Sequence, residues 1–194
     1  MFYRPADGHG LPHNPFNAIV TPRPIGWIST TGSQGDNLAP YSFFNAIAYT
    51  PPQVMFASTG VKDSLTNIRE SREFCVNIVE EPMLHRMNQT SAALPHGTDE
   101  FARAGLPKIA CQTIACPRVD GTPAALECVV TEIVELRGRN NFLILGEVTG
   151  IHLRDDCLID GRFDVTRFHP VARMGYRDYS IVREVIEVMR PGEG

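Results

Sequence analysis

The sequence lacks any long stretch of one kind of residue. Its 194 residues carry a formal net charge of −4, and no block of Lys and Arg is longer than a few residues. That argues against a protein that binds the nucleic-acid backbone, because such binding depends on clustered cations. No apolar run approaches the roughly 20 residues of a membrane-spanning helix, and the N-terminus has no apolar signal core. We therefore expect a cytoplasmic protein that binds neither nucleic acid nor membrane.

The five cysteines are scattered and include no Cys-x-x-Cys pair. An odd number without that spacing argues against a disulfide scaffold in a chain of this size. Cys75 and Cys128 lie inside apolar runs, so we interpret them as small buried hydrophobic residues. His9 and His13 lie in a Gly- and Pro-rich terminus that disfavours a helix, so we interpret them as solvated tail residues and not as metal ligands.

The composition is that of an ordinary globular protein. Hydrophobic residues make up 43% of the chain and charged residues 21%, which permits a core of useful size at this length. We see no internal repeat and no linker that would divide the chain. We therefore expect one domain over residues 1–194, of which residues 1–15 form an irregular N-terminal arm.

Alternating apolar residues and turn signals predict mainly β structure. Strands are predicted at about 26–31, 37–45, 53–59, 73–79, 124–136 and 140–153, and short helices at about 63–71, 82–94 and 97–106. Pro40 lies inside the second strand, and proline cannot donate to a sheet ladder, so it marks an edge, a bulge or a strand start. Many strands and few helices indicate an antiparallel barrel with short helical insertions, against which the tail from Tyr179 is expected to pair or pack.

The segment STGVKDS, Ser58–Ser64, gathers hydroxyls, one lysine and the start of a predicted helix. Backbone N–H groups at a helix start beside an ammonium form an anion site, and phosphate is the usual occupant. The alternative is a helix capped by Asp63 or Ser64 with Lys62 in solvent. The chain contains neither G-x-x-x-x-G-K-[ST] nor a G-x-G-x-x-G after a strand, which argues against a P-loop or Rossmann site.

Eight segments occur in a distinctive combination and order along the chain. They are TPRPIGWIST, NLAPYSFFN, KDSLTNI, EFCVNIV, DEFARAGL, LILGEV, DGRFDV and HPVARMGYRDY. Together they closely resemble the flavin reductase-like family of FMN-binding split barrels, over about residues 15–185. The chain departs from the family pattern at two positions: Ser64 stands where Thr is commoner, and Tyr176 stands where a second glycine is common.

The resemblance implies a mainly β, antiparallel split barrel that binds FMN and forms a homodimer with composite flavin sites at the interface. In the family, Lys62 corresponds to the countercharge of the phosphate, and Ser42 lies on the segment that meets the polar edge of the flavin ring. The closing motif with Arg173 is expected to approach the flavin from the second subunit. The residues that the resemblance places around the cofactor are Arg23, Ser29, Thr30, Thr31, Ala39, Ser42, Phe43, Ser58, Lys62, Ser64 and Arg173.

Two of these interpretations have alternatives that the residues leave open. Arg23 is either a second phosphate or ribityl contact, or a surface residue in a proline-stiffened entry loop. Trp27 either belongs to the core or flanks the ring.

The implied function is hydride transfer from NAD(P)H to FMN, in which the cofactor carries the chemistry. The resemblance therefore implies no catalytic side chain and no metal. Reduced FMN would serve a bound substrate or a separate monooxygenase partner. Two alternatives stay open: an FMN electron carrier similar to flavoredoxin, and a split barrel that binds a ligand other than flavin. The sequence distinguishes neither NADH from NADPH nor a tightly bound flavin from an exchanging one.

Overall fold

The computed structural model describes residues 1–192, so the last two residues of the expected domain lie outside the described residues. The strands are β1 (Arg23–Pro24), β2 (Gly26–Gly32), β3 (Gly35–Tyr41), β4 (Phe44–Tyr49), β5 (Pro52–Thr59), β6 (Glu73–Ile78), β7 (Lys108–Ile109), β8 (Arg118–Val119), β9 (Ala124–Glu135), β10 (Asn141–Leu153), β11 (Leu158–Ile159), β12 (Arg162–Phe163), β13 (Val171–Arg173) and β14 (Tyr179–Ile181). The helices are α1 (Phe16–Ile19), α2 (Asp63–Ser71), α3 (Leu84–Gln89) and α4 (Glu100–Arg103), with 3-10 turns at Pro5–Asp7, Glu81–Met83, Asp155–Cys157 and Val165–Arg167.

Seven antiparallel strands form the main sheet, in the order β3-β2-β6-β9-β10-β5-β4. Its two edge strands, β3 and β4, are consecutive in sequence and are joined by a corner at Ser42 and Phe43. The sheet curls until its two edges meet at this corner, and it remains open along the line between them. The predicted mainly β fold, an antiparallel split barrel, is thereby confirmed.

The barrel interior is a cluster of side chains that alternate along the strands. Phe56 on β5 lies at its centre, with ring centroids 4.7 Å from Tyr41 and 5.4 Å from Phe74. Helix α2 adds Leu65 and Ile68, both fully buried in the same cluster. This confirms the helix predicted at 63–71 and the apolar face assigned to it.

A second cluster lies on the opposite face of β2 and β3, beneath α3 and α4. Trp27 is fully buried there with Met87 and Phe101, and its indole Nε1 donates to Thr90 Oγ1 at 2.9 Å. Trp27 is therefore a core residue. Its neighbour Ile28 faces the barrel interior, because successive strand residues point to opposite faces.

Pro40 lies on an edge strand, as proline in a sheet should. The backbone N–H of Leu38 points away from β2 and donates to Glu100 Oε2 at 3.0 Å. Backbone groups of a strand alternate between its two edges, so Pro40, two residues further on, also faces away from β2. Its missing N–H therefore costs no bond in the ladder.

Several predicted boundaries differ in the structure. The single strand predicted at 37–45 is wrong, because β3 ends at Tyr41 and β4 begins at Phe44. The helix predicted at 82–94 is shorter, since α3 ends at Gln89 and a loop follows. In the chain's final part, β14 pairs with β13, and residues 182–190 form neither helix nor strand.

Two further predictions about strands and cysteines agree with the structure. The strands expected at 124–136 and 140–153 pair as β9 and β10, and Cys75 and Cys128 are buried free thiols. Within residues 1–192, no helix combines the length and the apolar character needed to cross a membrane.

Candidate functional site

Two adjoining cavities lie along the outer edge of β3. The first, of about 360 Å³, lies between β3, the start of α2 and the loop at residues 90–96. The second, of about 840 Å³, lies between the N-terminal arm, α3, the corner at Ser42 and residues 173–179. Pro40 and Ser91 line both cavities, so together they form a groove past the proline-bearing edge.

The start of α2 opens into the first cavity without a side-chain cap. Its N-cap residue is Lys62, which makes no side-chain cap hydrogen bond. Asp63 pairs with His96 Nδ1 and accepts from the Gly97 N–H at 3.2 Å. Ser64 Oγ donates to an amide oxygen elsewhere in the cavity wall. The expected cap by Asp63 or Ser64 is therefore wrong, and the positive end of the helix faces a cavity that Lys62 also lines.

A buried polar network supports this end of the groove from beneath. Glu100 Oε2 accepts from the backbone N–H of Leu38 and from Asn37 Nδ2, both at 3.0 Å. Asn37 Oδ1 in turn accepts from Ser64 Oγ at 2.5 Å. The Ser64 hydrogen is thus already engaged, so a role as donor to a phosphate requires this bond to be exchanged.

Tyr41 lines the first cavity, and its hydroxyl is fully buried. Among the described residues it has no hydrogen-bond partner of good geometry, although the hydroxyls of Ser58 and Ser64 lie near it. Burial raises the pKa of Tyr41 above its ordinary value, so the group remains a neutral donor.

Two arginines shape the wall of the second cavity. The guanidinium of Arg23 donates to the carbonyl groups of Asn17 and Val20 and, at 2.8 Å, to that of Met174. It is buried, and burial and the charge of Arg173 lower its pKa. Arg23 thus ties the N-terminal segment to the closing segment, and it lies at the cavity away from α2.

Arg173 lines the same cavity as Ser42 of its own chain. Its Nη2 donates to the Tyr176 carbonyl at 2.5 Å, and its guanidinium lies 4.6 Å from the centroid of the Tyr179 ring. Arg173 thus lines a cavity of its own chain, and its approach to the flavin from a second subunit stays a prediction.

The cavities bring together six of the predicted site residues. Ala39, Lys62 and Ser64 line the first cavity, and Arg23, Ser42 and Arg173 line the second. Phe43 lies at the corner beneath the Arg23 guanidinium, 5.8 Å from ring centroid to Cζ.

Like Phe43, the other four predicted residues line neither cavity. Ser29 Oγ donates to the Pro117 carbonyl at 2.6 Å, and Thr30 Oγ1 accepts from Asn67 Nδ2 at 3.2 Å. Thr31 donates to Asp36, and Ser58 donates to the Gly60 carbonyl. For Ser29, Thr30 and Thr31 the reason is the strand order, because β3 stands between most of β2 and the groove.

Several residues of the groove were not among the site residues predicted from the sequence. They are Asn37, Tyr41, Ser91, His96 and Glu100. Asn37 and Tyr41 stand inside the motif NLAPYSFFN, and Glu100 stands inside DEFARAGL, so their motifs carried a signal. His96 and Ser91 come from a loop that no local pattern predicts.

The chain is similar to a known protein family, to a relative in sequence and to two solved structures. Residues 19–167 match the family model described as the flavin reductase like domain. An uncharacterized protein of Deinococcus radiodurans is 38% identical over 187 residues, which cover 89% of this chain and 82% of that protein. The structure of 2-nitrobenzoate 2-nitroreductase from Pseudomonas fluorescens has a TM-score of 0.83 at 30% identity, covering 91% of this chain and 89% of that one. Nitrilotriacetate monooxygenase component B from Bacillus cereus has a TM-score of 0.84 at 27% identity, covering 93% and 100%.

The buried carboxyl of Glu100 generates a pH prediction. Burial raises its pKa above the ordinary 4.5, so the folded protein holds this proton more tightly than the unfolded chain. Stability is therefore lost as pH rises from 4.5 through the raised pKa. We expect Glu100→Gln, which keeps an acceptor for Leu38, to be at least as stable as the parent at pH 7.

Urea denaturation of the parent, Glu100→Gln and Glu100→Ala at pH 4 and pH 7 tests this. Glu100→Ala leaves the Leu38 N–H unpaired and should cost about 1–3 kcal/mol at both pH values. If Glu100→Gln loses as much stability at pH 7 as Glu100→Ala, the carboxylate is stabilising and the assignment is wrong.

Proposed function

This chain belongs to the flavin reductase-like family, and from that premise we propose that it binds FMN and transfers a hydride to it from NAD(P)H. The observation that carries the proposal is the groove along β3. One end has an uncapped helix start and a lysine, and the other has a wider cavity walled by two arginines. Both cavities fall within the size range of small-molecule sites.

The phosphate of FMN fits the first cavity. The free N–H groups at the start of α2 and the Lys62 ammonium supply donors and positive charge. The carboxylates of Asp63 and Glu100 also line this cavity, but each is engaged, Asp63 by His96 and Gly97, and Glu100 by the β3 backbone.

The ring of FMN fits the second cavity, beside Pro40 and Ser42. Within residues 1–192 no strand pairs with the outward edge of β3, so its carbonyl groups and the Ser42 hydroxyl can meet a donor–acceptor edge. Arg23 and Arg173 place two positive charges on the wall of this cavity. Such charges stabilise negative charge gained by an occupant on reduction.

The chain's own residues bind and orient under this proposal, while FMN supplies the hydride chemistry when bound. No side chain is assigned as acid, base or nucleophile. The proposal includes two uses for the reduced flavin. One of the similar structures is a nitroreductase that acts on an organic substrate, and another is a component of a monooxygenase. The same groove thus serves either a substrate bound beside the flavin or a separate monooxygenase partner.

An electron carrier similar to flavoredoxin remains the alternative, and steady-state kinetics separate the two. We expect the purified protein to oxidise NADH or NADPH at a rate that saturates with added FMN. The loss of reduced-nicotinamide absorbance measures that rate. A protein that holds FMN and is reduced by dithionite, yet oxidises neither nicotinamide, is a carrier. A protein that binds no FMN at all removes both functions.

The phosphate assignment predicts a defect that depends on the ligand. We expect Lys62→Ala to weaken FMN binding by about ten- to a hundredfold, since a charge-assisted hydrogen bond is worth roughly 1.5–3 kcal/mol. Riboflavin, which lacks the phosphate, should bind parent and variant almost equally. Quenching of flavin fluorescence gives both dissociation constants.

The chain offers a matched control for this charge. Lys108, the second lysine of the sequence, pairs with Asp36 and Asp99 and lines neither cavity. Lys108→Ala should leave both affinities unchanged. Equal losses of FMN and riboflavin affinity in Lys62→Ala would place the phosphate elsewhere.

We also propose that the protein is a homodimer with composite flavin sites. The segment after β14 leaves Val185, Ile186, Val188 and Met189 more than half exposed, and β4 leaves Tyr49 96% exposed. Apolar side chains concentrated in this way on an extended segment and an edge strand are typical of an interface with another chain.

Sedimentation at several protein concentrations tests the dimer. We expect Ile186→Glu combined with Val188→Glu to raise the dimer dissociation constant at least about tenfold, because each change puts a charge into an apolar contact. Glu187→Gln, between these two positions, is the control and should dissociate no further than the parent. A parent that sediments as a monomer with FMN at full occupancy would contradict both the dimer and the composite site.

A further inference from the structure

Three thiols lie together on the main sheet, away from the groove. Cys75 on β6 is fully buried, and Cys116 is 1% exposed in the same apolar cluster. Cys111 packs against this cluster and is partly exposed. Its side chain therefore lies beside those of Cys116 and Cys75. None of the three lines either cavity of the groove.

The loop that carries Cys111 and Cys116 joins β7 to β8 and covers the outer face of the sheet. Strand alternation creates the pocket under it: Phe74 and Val76 face the barrel interior, whereas Cys75 between them faces the loop. The three thiols therefore meet because Cys75 points to the face of the sheet that the loop covers.

Side chains of the sheet hold this loop at several points. The buried Glu127 carboxylate accepts from the backbone N–H groups of Gln112 at 2.8 Å and Thr113 at 2.5 Å. Glu73 accepts from the Ala115 N–H at 2.8 Å. The loop is thus anchored at Gln112, Thr113 and Ala115, which lie between its two cysteines.

The three thiols differ in the direction of their pKa shifts. Hydrogen bonding with the Cys116 and Cys75 thiols lowers the pKa of Cys111. Burial and the Glu127 charge oppose that shift, whereas His152, which pairs with Glu127, favours it. The Cys116 thiol also donates to the Ser29 carbonyl at 3.6 Å. The pKa values of Cys116 and Cys75 are raised, in each case chiefly by the same contact with Cys111 and by burial. Cys111 is therefore both the most exposed thiol of the three and the one that ionises first.

We propose that Cys111 is a site of oxidation by peroxide and that Cys116 resolves the product to a disulfide. The Cys111 thiolate attacks one peroxide oxygen, the O–O bond breaks, and Cys111 becomes a sulfenic acid while the other oxygen leaves as water. The Cys116 sulfur then displaces that hydroxyl as a second water and forms the S–S bond. Two thiols are oxidised by two electrons, and one peroxide is reduced to two waters.

Cys116 is the better resolving partner because it belongs to the same loop as Cys111. A disulfide requires a specific separation and direction of the two Cβ atoms, so one partner has to adjust. Cys75 lies in β6, which is paired on both sides by β2 and β9. Residues 110–117 form no strand or helix and can adjust more easily. The inference does not depend on the flavin function.

Tryptic mapping after peroxide treatment tests the proposal on the intact protein. Cleavage after Lys108 and Arg118 releases Cys111 and Cys116 in one peptide, Ile109–Arg118, and Cys75 in another, Glu73–Arg86. With dithiothreitol removed and low peroxide added, we expect the first peptide to become lighter by two hydrogen atoms. This change should be reversed by dithiothreitol and should occur at least about ten times faster than oxidation of Cys157, because an ordinary thiol is only a few per cent ionised at neutral pH.

Two variants sharpen the test. Cys116→Ser should leave a sulfenic acid on Cys111 that dimedone traps, whereas Cys157→Ala, which removes a buried thiol outside the cluster, should change nothing. A cross-link between the two peptides would show that Cys75 is the partner and overturn the assignment of Cys116. Oxidation of all five cysteines at similar rates, or no change in Ile109–Arg118 while others react, would overturn the site.

Discussion

The outer edge of β3 is the constraint on which the groove depends. A strand at the edge of a sheet presents backbone groups that require partners other than a neighbouring strand. In this chain Glu100 satisfies the Leu38 N–H, and Pro40 removes the next outward donor. The outward carbonyl groups and the corner at Ser42 remain for the contents of the groove. The barrel is thus left open at the place where its ligand is proposed to bind.

Both ends of the groove carry positive groups, for separate structural reasons. The positive character of the first end comes from an uncapped helix start, because Asp63 and Ser64 are held by the loop and by Asn37. The positive character of the second comes from Arg23 and Arg173, which face each other across the β1–β13 pair. A ligand with a phosphate at one end and an electron-accepting ring at the other suits both ends of the groove. The opposite face of the sheet is independent of this groove and carries the thiol cluster.

The sequence predicted more of the fold than of the site. Strands β2, β5, β6, β9 and β10 and helix α2 follow from alternation and periodicity within their own residues. The corner that separates β3 from β4 could not be predicted, because Ser42 and Phe43 do not differ in composition from the strand residues around them. The length of α3 was overestimated because the residues after Gln89 include Ala92, Ala93 and Leu94, which are strong helix formers.

By itself the sequence determined the family and the split-barrel class. It also predicted that Lys62 and Ser64, at the start of α2, lie at the groove. All of these follow from contiguous motifs. Only the tertiary structure decided which polar residues face the groove. Ser29 and Thr30 belong to the same motif as Arg23 but are buried against Pro117 and Asn67. Which strand stands outside another is set by pairing between distant segments, and so is the approach of Glu100 to Leu38. No local pattern encodes such contacts, since they exist only after the sheet has formed.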